Sequence, residues 1–172
     1  MIAELSHYVD PSYTYNFNQG PQQILDEAEA LEKGLNCVAL AYLAIERLYS
    51  RKLWPRLNCY ETYIDRDRFE TVSSLGEVVT GDLVWFSGKE SCPVDSFVAR
   101  YDPDGYLLNW RYSPVSHVAI YTGETAFEYG EDPLMLHATD IVGGVDIWPL
   151  WRFSLIRRYG YGNIRRISRY IP

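Results

Sequence analysis

The sequence predicts an α+β fold, with helices in the first third of the chain and a mainly antiparallel sheet after them. Two patterns carry this reading. One is a long apolar stretch opened by a capping residue at position 36. The other is a succession of short apolar or alternating runs, separated by Gly-containing turns, after position 80. Helices grouped ahead of neighbouring strands give α+β rather than the alternating order of a parallel sheet. At 172 residues, with 47% hydrophobic and 23% charged residues, the chain suits one domain built on one core. That balance excludes disordered and fibrous classes.

Each element follows from local chemistry. Residues 1–20 are rich in Tyr, Asn, Pro and Ser and read as an irregular, ring-rich arm. Pro21 suits the first position of a helix, residues 22–33 are helical in composition, and Gly34 supplies a left-handed stop. Asn36 is a strong N-cap. The run from Cys37 to Ile45 is apolar on almost every face, so this second helix, expected to reach about Lys52, is the buried one. After Trp54-Pro55 the pattern turns to strands. Residues 82–86 form a short apolar run entered through Gly81. Residues 115–122 alternate, placing His117, Ala119 and Tyr121 on one face and Val118 and Ile120 on the other. Residues 134–138 set Met135 and His137 opposite Leu134 and Leu136. Gly143-Gly144 reads as a tight turn into residues 145–148, and residues 164–171 are the last strand. Residues 87–114 are polar, with Pro and Gly, and read as a long loop with room for a small hairpin.

A net charge of −7 argues against a general nucleic-acid binder. The charge is uneven. Six Arg from Arg152 onward (Arg152, Arg157, Arg158, Arg165, Arg166, Arg169) meet no acid, which leaves −13 on the rest of the chain. Tyr159, Tyr161 and Tyr170 are interleaved with them. The pattern is read as a terminal strand with a solvated Arg face rather than an RNA-binding tail. Residues 1–10 lack the basic start and apolar run of a signal peptide, and no stretch has the ~18 consecutive apolar residues of a membrane helix. Cys37, Cys59 and Cys92 are too irregularly spaced for a disulfide framework. A cytoplasmic location is expected, with export by a route that needs no cleaved signal as the alternative.

The chemistry rests on three residues together. A Cys in an apolar helix, taken alone, reads as a small buried hydrophobe. Cys37, however, opens its helix, where the helix dipole and unpaired N–H groups favour a thiolate. His117 lies on a strand about 80 residues later, and His137 on the strand after that. A thiol nucleophile needs a base within hydrogen-bond reach, and the base needs a third group to fix its tautomer. Metal binding would call for close-spaced ligand pairs, and none is present, so no metal or other cofactor is expected.

These residues resemble the NlpC family of papain-like cysteine hydrolases, many of which cut bacterial cell-wall peptides. The family's Asp-Cys-Ser-Gly run corresponds to Asn36-Cys37-Val38-Ala39. Its Gly-Asp-Leu-Val-Phe-Phe strand corresponds to residues 81–86, and its Ser-His-Val-Gly-Ile-Tyr-Leu-Gly strand to residues 116–123. The His-Ala-Ser turn that carries its third member corresponds to His137-Ala138-Thr139. The similarity spans residues 34–148, with residues 116–123 the most specific part. It implies a papain-like fold, a Cys37–His117–His137 triad, and a peptide or muropeptide substrate with a γ-D-glutamyl linkage. It also implies a Tyr over the nucleophile, for which Tyr13 and Tyr15 are candidates, and an oxyanion site near Asn36 and the Cys37 N–H. Val38-Ala39 in place of Ser-Gly, and the length of residues 87–114, depart from the family pattern. Two other classes fit the same residues: an acyltransferase working through a thioester, although relatives of that kind place His before Cys, and a non-catalytic binding module.

Overall fold

The computed structural model describes residues 3–126, 131–156 and 163–172. Arg157, Arg158, Tyr159 and Tyr161 of the basic tail lie outside the described residues. The architecture is α+β around a six-stranded antiparallel sheet of order β1-β6-β2-β3-β4-β5. The strands are β1 (Phe69–Val72), β2 (Leu83–Ser87), β3 (His117–Ala126), β4 (Asp132–Thr139), β5 (Gly144–Pro149) and β6 (Asn163–Tyr170). The helices are α1 (Ala3–Ser6), α2 (Glu27–Lys33), α3 (Cys37–Tyr49), α4 (Cys59–Ile64) and α5 (Leu150–Leu155). No helix among the described residues is long and apolar enough to cross a membrane.

The period-2 alternation of the strands divides the core in two. On one face Val118, Ile120, Leu136 and Ala138 pack with α3, which is buried from Cys37 through Glu46. On the other, Val84, Phe86, Ala119, Met135 and Trp148 pack with Phe153 of α5. α3 is held between the sheet and the N-terminal segments. Its Glu46 is buried, pairs with Arg56 at 2.6 Å and accepts the Leu53 N–H at 3.0 Å.

The structure departs from the sequence reading at particular places. Pro21 does not start α2: residues 20–24 make a separate turn, and Asp26 caps the helix by accepting the Glu29 N–H at 2.9 Å. α3 stops at Tyr49, because Ser50 adopts a left-handed conformation and its N–H returns to Arg47 and Glu46. The chain after Pro55 forms a helix before any strand, closed by a reciprocal Asn58–Glu61 capping box. Of the described arginines on the last strand, Arg165 is exposed as expected, but Arg166 and Arg169 are not part of a solvated face. Arg166 is buried and donates to Tyr63 O (2.6 Å) and Phe69 O (2.5 Å); Arg169 holds the buried Asp82 carboxylate at 2.8 and 3.0 Å. β6 is an interior strand, so Arg166 and Arg169 answer internal acceptors.

The N-terminal arm is stitched down rather than loose. Thr14 bridges Gly144, Tyr15 bridges Leu35, and the Tyr15 N–H donates to Gly143 O at 2.9 Å. Gly144 permits this approach, since a Cβ there would stand 2.7 Å from Tyr13 O.

Candidate active site

α3 delivers Cys37. The Asn36 side-chain oxygen accepts the N–H groups of Val38 (3.1 Å) and Ala39 (3.0 Å), and its amide donates to Phe17 O (3.2 Å). Asn36 therefore fixes where the helix begins and where the thiol lies. Its side chain is engaged at both ends, so its role is positional rather than that of an oxyanion donor.

β3 supplies the opposing wall. The Tyr121 N–H donates to Asp82 O at 2.9 Å, on the β2 side. By the alternation of an antiparallel strand, the Val118 N–H points the other way, toward β4. The β3–β4 ladder begins only at Ile120↔Leu136. The Val118 N–H, with those of Val38 and Cys37 itself, instead acts on the Cys37 thiol to favour its ionised form.

His117 and His137 are coupled directly: His117 Nε2 lies 3.1 Å from His137 Nδ1. Both rings stand on the α5 side of the sheet. His137 is sealed between Trp148 and Phe153, with ring centroids at 4.3 and 4.7 Å. His117 packs against Phe86 and Phe153 at about 6 Å. Cys37 comes from the α3 side and His117 from the α5 side, and both line one cleft of about 710 Å³ where β3 begins.

Burial keeps the resting site neutral. It pushes the Cys37 thiol up to about 11, against the pull of the three N–H groups on its sulfur. The thiolate expected from the helix N-terminus is therefore not the resting form, because desolvation outweighs the dipole. Burial also holds His117 well below the ordinary histidine value, with His137 adding to the effect. His137 is pushed down to about 3 by burial and then by the Arg152 cation. Arg152 itself lies over the Trp148 ring, 4.0 Å from its centroid.

No known protein family matches the chain, and no curated protein or solved structure matches it at a significant level. The chemistry has to be read from the site itself.

Of the two candidate tyrosines, the structure separates one from the other. Tyr13 is buried on the far side of the arm, its hydroxyl 3.1 Å from His7 Nε2 and its ring 5.4 Å from Tyr8, so it is a packing residue. Tyr15 lines the cleft beside Cys37. Residues 87–114 form the outer wall, with a Tyr101↔Leu107 bridge and a Gly105 turn; Tyr106, Leu107, Leu108 and Trp110 face the cleft. This wall rests on α4 through the Tyr60–Phe97 ring pair at 4.8 Å and on the arm through Phe17–Trp110 at 4.9 Å. A second thiol, Cys59 at the start of α4, also lines the cleft. The Asn58–Glu61 capping box was the sequence signal that could have placed it. No group of three or more His, Cys, Asp or Glu side chains among the described residues is arranged to hold a metal.

Proposed function

We propose that this chain is a cysteine-nucleophile amide hydrolase on a papain-like, NlpC-type scaffold. The observation that carries the reading is the His117–His137 pair at 3.1 Å, with His117 and the helix-opening Cys37 lining one cleft. A thiol at a helix start and a base ordered by a third residue, lining one cleft, are the groups that nucleophilic acyl chemistry requires.

Starting from neutral groups, the Cys37 proton passes to His117 Nδ1 as the sulfur attacks the amide carbon. His117 Nε2–H donates to His137 Nδ1, which holds the tautomer and stabilises the imidazolium as it forms. The assignment requires His137 to carry its own proton on Nε2. The Cys37 N–H, with the helix start behind it, supports the developing oxyanion. Collapse breaks the C–N bond and His117 returns the proton to the leaving amine; water then attacks the thioester with His117 again as base, the C–S bond breaks to release the carboxylic acid, and His117 returns the proton to the Cys37 sulfur. Tyr15 and the outer wall position the acyl part. The resemblance makes a γ-D-glutamyl peptide the reference substrate.

Acid quenching during turnover of an amide panel, followed by peptide mapping, tests the reading. The acyl group is expected on Cys37. Acylation of Cys59 alone, or turnover that survives Cys37→Ala, ends it.

A further inference from the structure

The lining of the cleft departs from what a wall peptide needs. Such a peptide carries carboxylates, and an anionic ligand is held by Arg, Lys or a cluster of N–H groups. Among the described residues that line the cleft there is no Lys or Arg; the charged side chains are Asp102 and Asp140. Asp102 is committed to the wall itself, where its carboxylate accepts the N–H groups of Asp104 (2.9 Å) and Tyr106 (2.8 Å). The rest of the chain adds to the bias, with a net charge of −7. The arginines nearest the end of the chain do not relieve it: Arg166 and Arg169 are spent on Tyr63, Phe69 and Asp82.

What the cleft offers instead is apolar and aromatic surface. Tyr15, Phe17, Tyr106, Leu108 and Trp110 face it from both the arm and the outer wall. Phe17 and Trp110 touch across the two segments and are still 49% and 39% exposed, and Leu108 is 62% exposed. A volume of about 710 Å³ is in the range of pockets that bury most of a small ligand. Half-exposed rings gathered around a cleft are an incentive to bury apolar ligand surface, not peptide carboxylate.

Resting on the hydrolase reading, we infer that the occupant of this cleft is an amide with an apolar or aromatic acyl group and no carboxylate near the scissile bond. Leu108 and Trp110 of the outer wall set that preference. The 87–114 segment is thus the specificity element, and it converts a wall-peptide scaffold to a neutral, apolar substrate.

The test compares three aminocoumarin amides on the full chain: one with a neutral aromatic acyl group, one with a linear alkanoyl group, and one with a γ-D-glutamyl group. The neutral pair should be cleaved at least about tenfold faster in kcat/KM than the anionic one, a difference of about 1.4 kcal/mol. Leu108→Arg, at an exposed position that tolerates substitution, should narrow or reverse the ratio by raising turnover of the γ-D-glutamyl amide. Equal or better cleavage of the γ-D-glutamyl amide by the unaltered chain overturns the inference while leaving the hydrolase reading intact. If none is cleaved, titration of Cys37→Ala with the uncleaved amides, read by the anisotropy of the coumarin group, separates the two. Selective saturation by the neutral amides, lost in Trp110→Ala, sustains the cleft chemistry against the hydrolase reading. Absence of that selectivity ends both.

Discussion

At the scale of single residues, the site is governed by the competition between burial and charge. Cys37 lies at a helix start, which favours a thiolate by ~0.3–1 kcal/mol for an exposed group. Its sulfur is nevertheless held up to about 11 because the surrounding core removes water. Iodoacetamide labelling of Cys37, followed by mass spectrometry, should therefore accelerate about tenfold per pH unit between pH 7 and 9. A rate already at its plateau at pH 6 would show a resting thiolate–imidazolium pair. The histidines set a stability limit on the acid side. His137 is lowered from 6.5 to about 3, so the unfolded chain binds a proton that the folded chain refuses. This contribution is whole above pH 6.5 and is lost as pH falls from there toward about 3. Urea midpoints measured from pH 7 to pH 4 should fall steeply, and His137→Gln should flatten that fall. A slope unchanged in His137→Gln would place the titration elsewhere.

At the scale of elements, what the sequence revealed and what it hid have physical reasons. α3 was legible because Asn36 and the apolar run from Cys37 make both its start and its burial local properties. β2 was legible as a short apolar run behind Gly81, and β3 and β4 through their alternation, from which the face assignment of His117 against Val118 followed. β1 was not. Phe69–Val72 is four residues long and half exposed along its length, and it becomes a strand only because β6 pairs with it. The same pairing turns Arg166 inward, which no local pattern in a run of arginines could show. α4 was hidden by strand-like Tyr, Thr and Ile, although its capping box was present. Two expectations belong to this scale. Asn36→Ala removes the acceptor of two N–H groups and should cost ~1 kcal/mol, up to ~2, in urea denaturation, with Asn36→Asp in between because it keeps the cap but loses the donor to Phe17 O. Arg166→Met leaves the Tyr63 and Phe69 carbonyls without their donor and should cost ~2–5 kcal/mol by the same measurement. A loss under 1 kcal/mol for Arg166→Met would mean the β1–β6 edge does not depend on it.

At the scale of the whole molecule, the cleft is assembled from segments that are remote in sequence and individually irregular. The arm brings Tyr15 and Phe17, residues 87–114 bring Tyr106 to Trp110, and α3 and β3 bring the reactive groups. Sequence could name the two irregular segments but not their closure over one opening, since that depends on the Thr14–Gly144 bridge and the Phe17–Trp110 contact. Gly144→Ala places a Cβ 2.7 Å from Tyr13 O and should detach the arm. Its expected signature is a raised KM with a smaller change in kcat, because Tyr15 moves while Cys37 and β3 stay. A fall in kcat alone would contradict that division between a movable rim and a fixed centre.

The most direct measurement of the central assignment is kcat/KM for Cys37→Ala, His117→Ala, His137→Ala and the His117→Ala/His137→Ala double variant on one cleaved amide. Nucleophile and base act as a unit, so their single losses should each reach ~10³ or more, and His137→Ala should lose less. The double variant should match His117→Ala, because an orienting residue has nothing left to orient. Single variants that all retain the activity of the unaltered chain would contradict the account and place the chemistry elsewhere in the molecule.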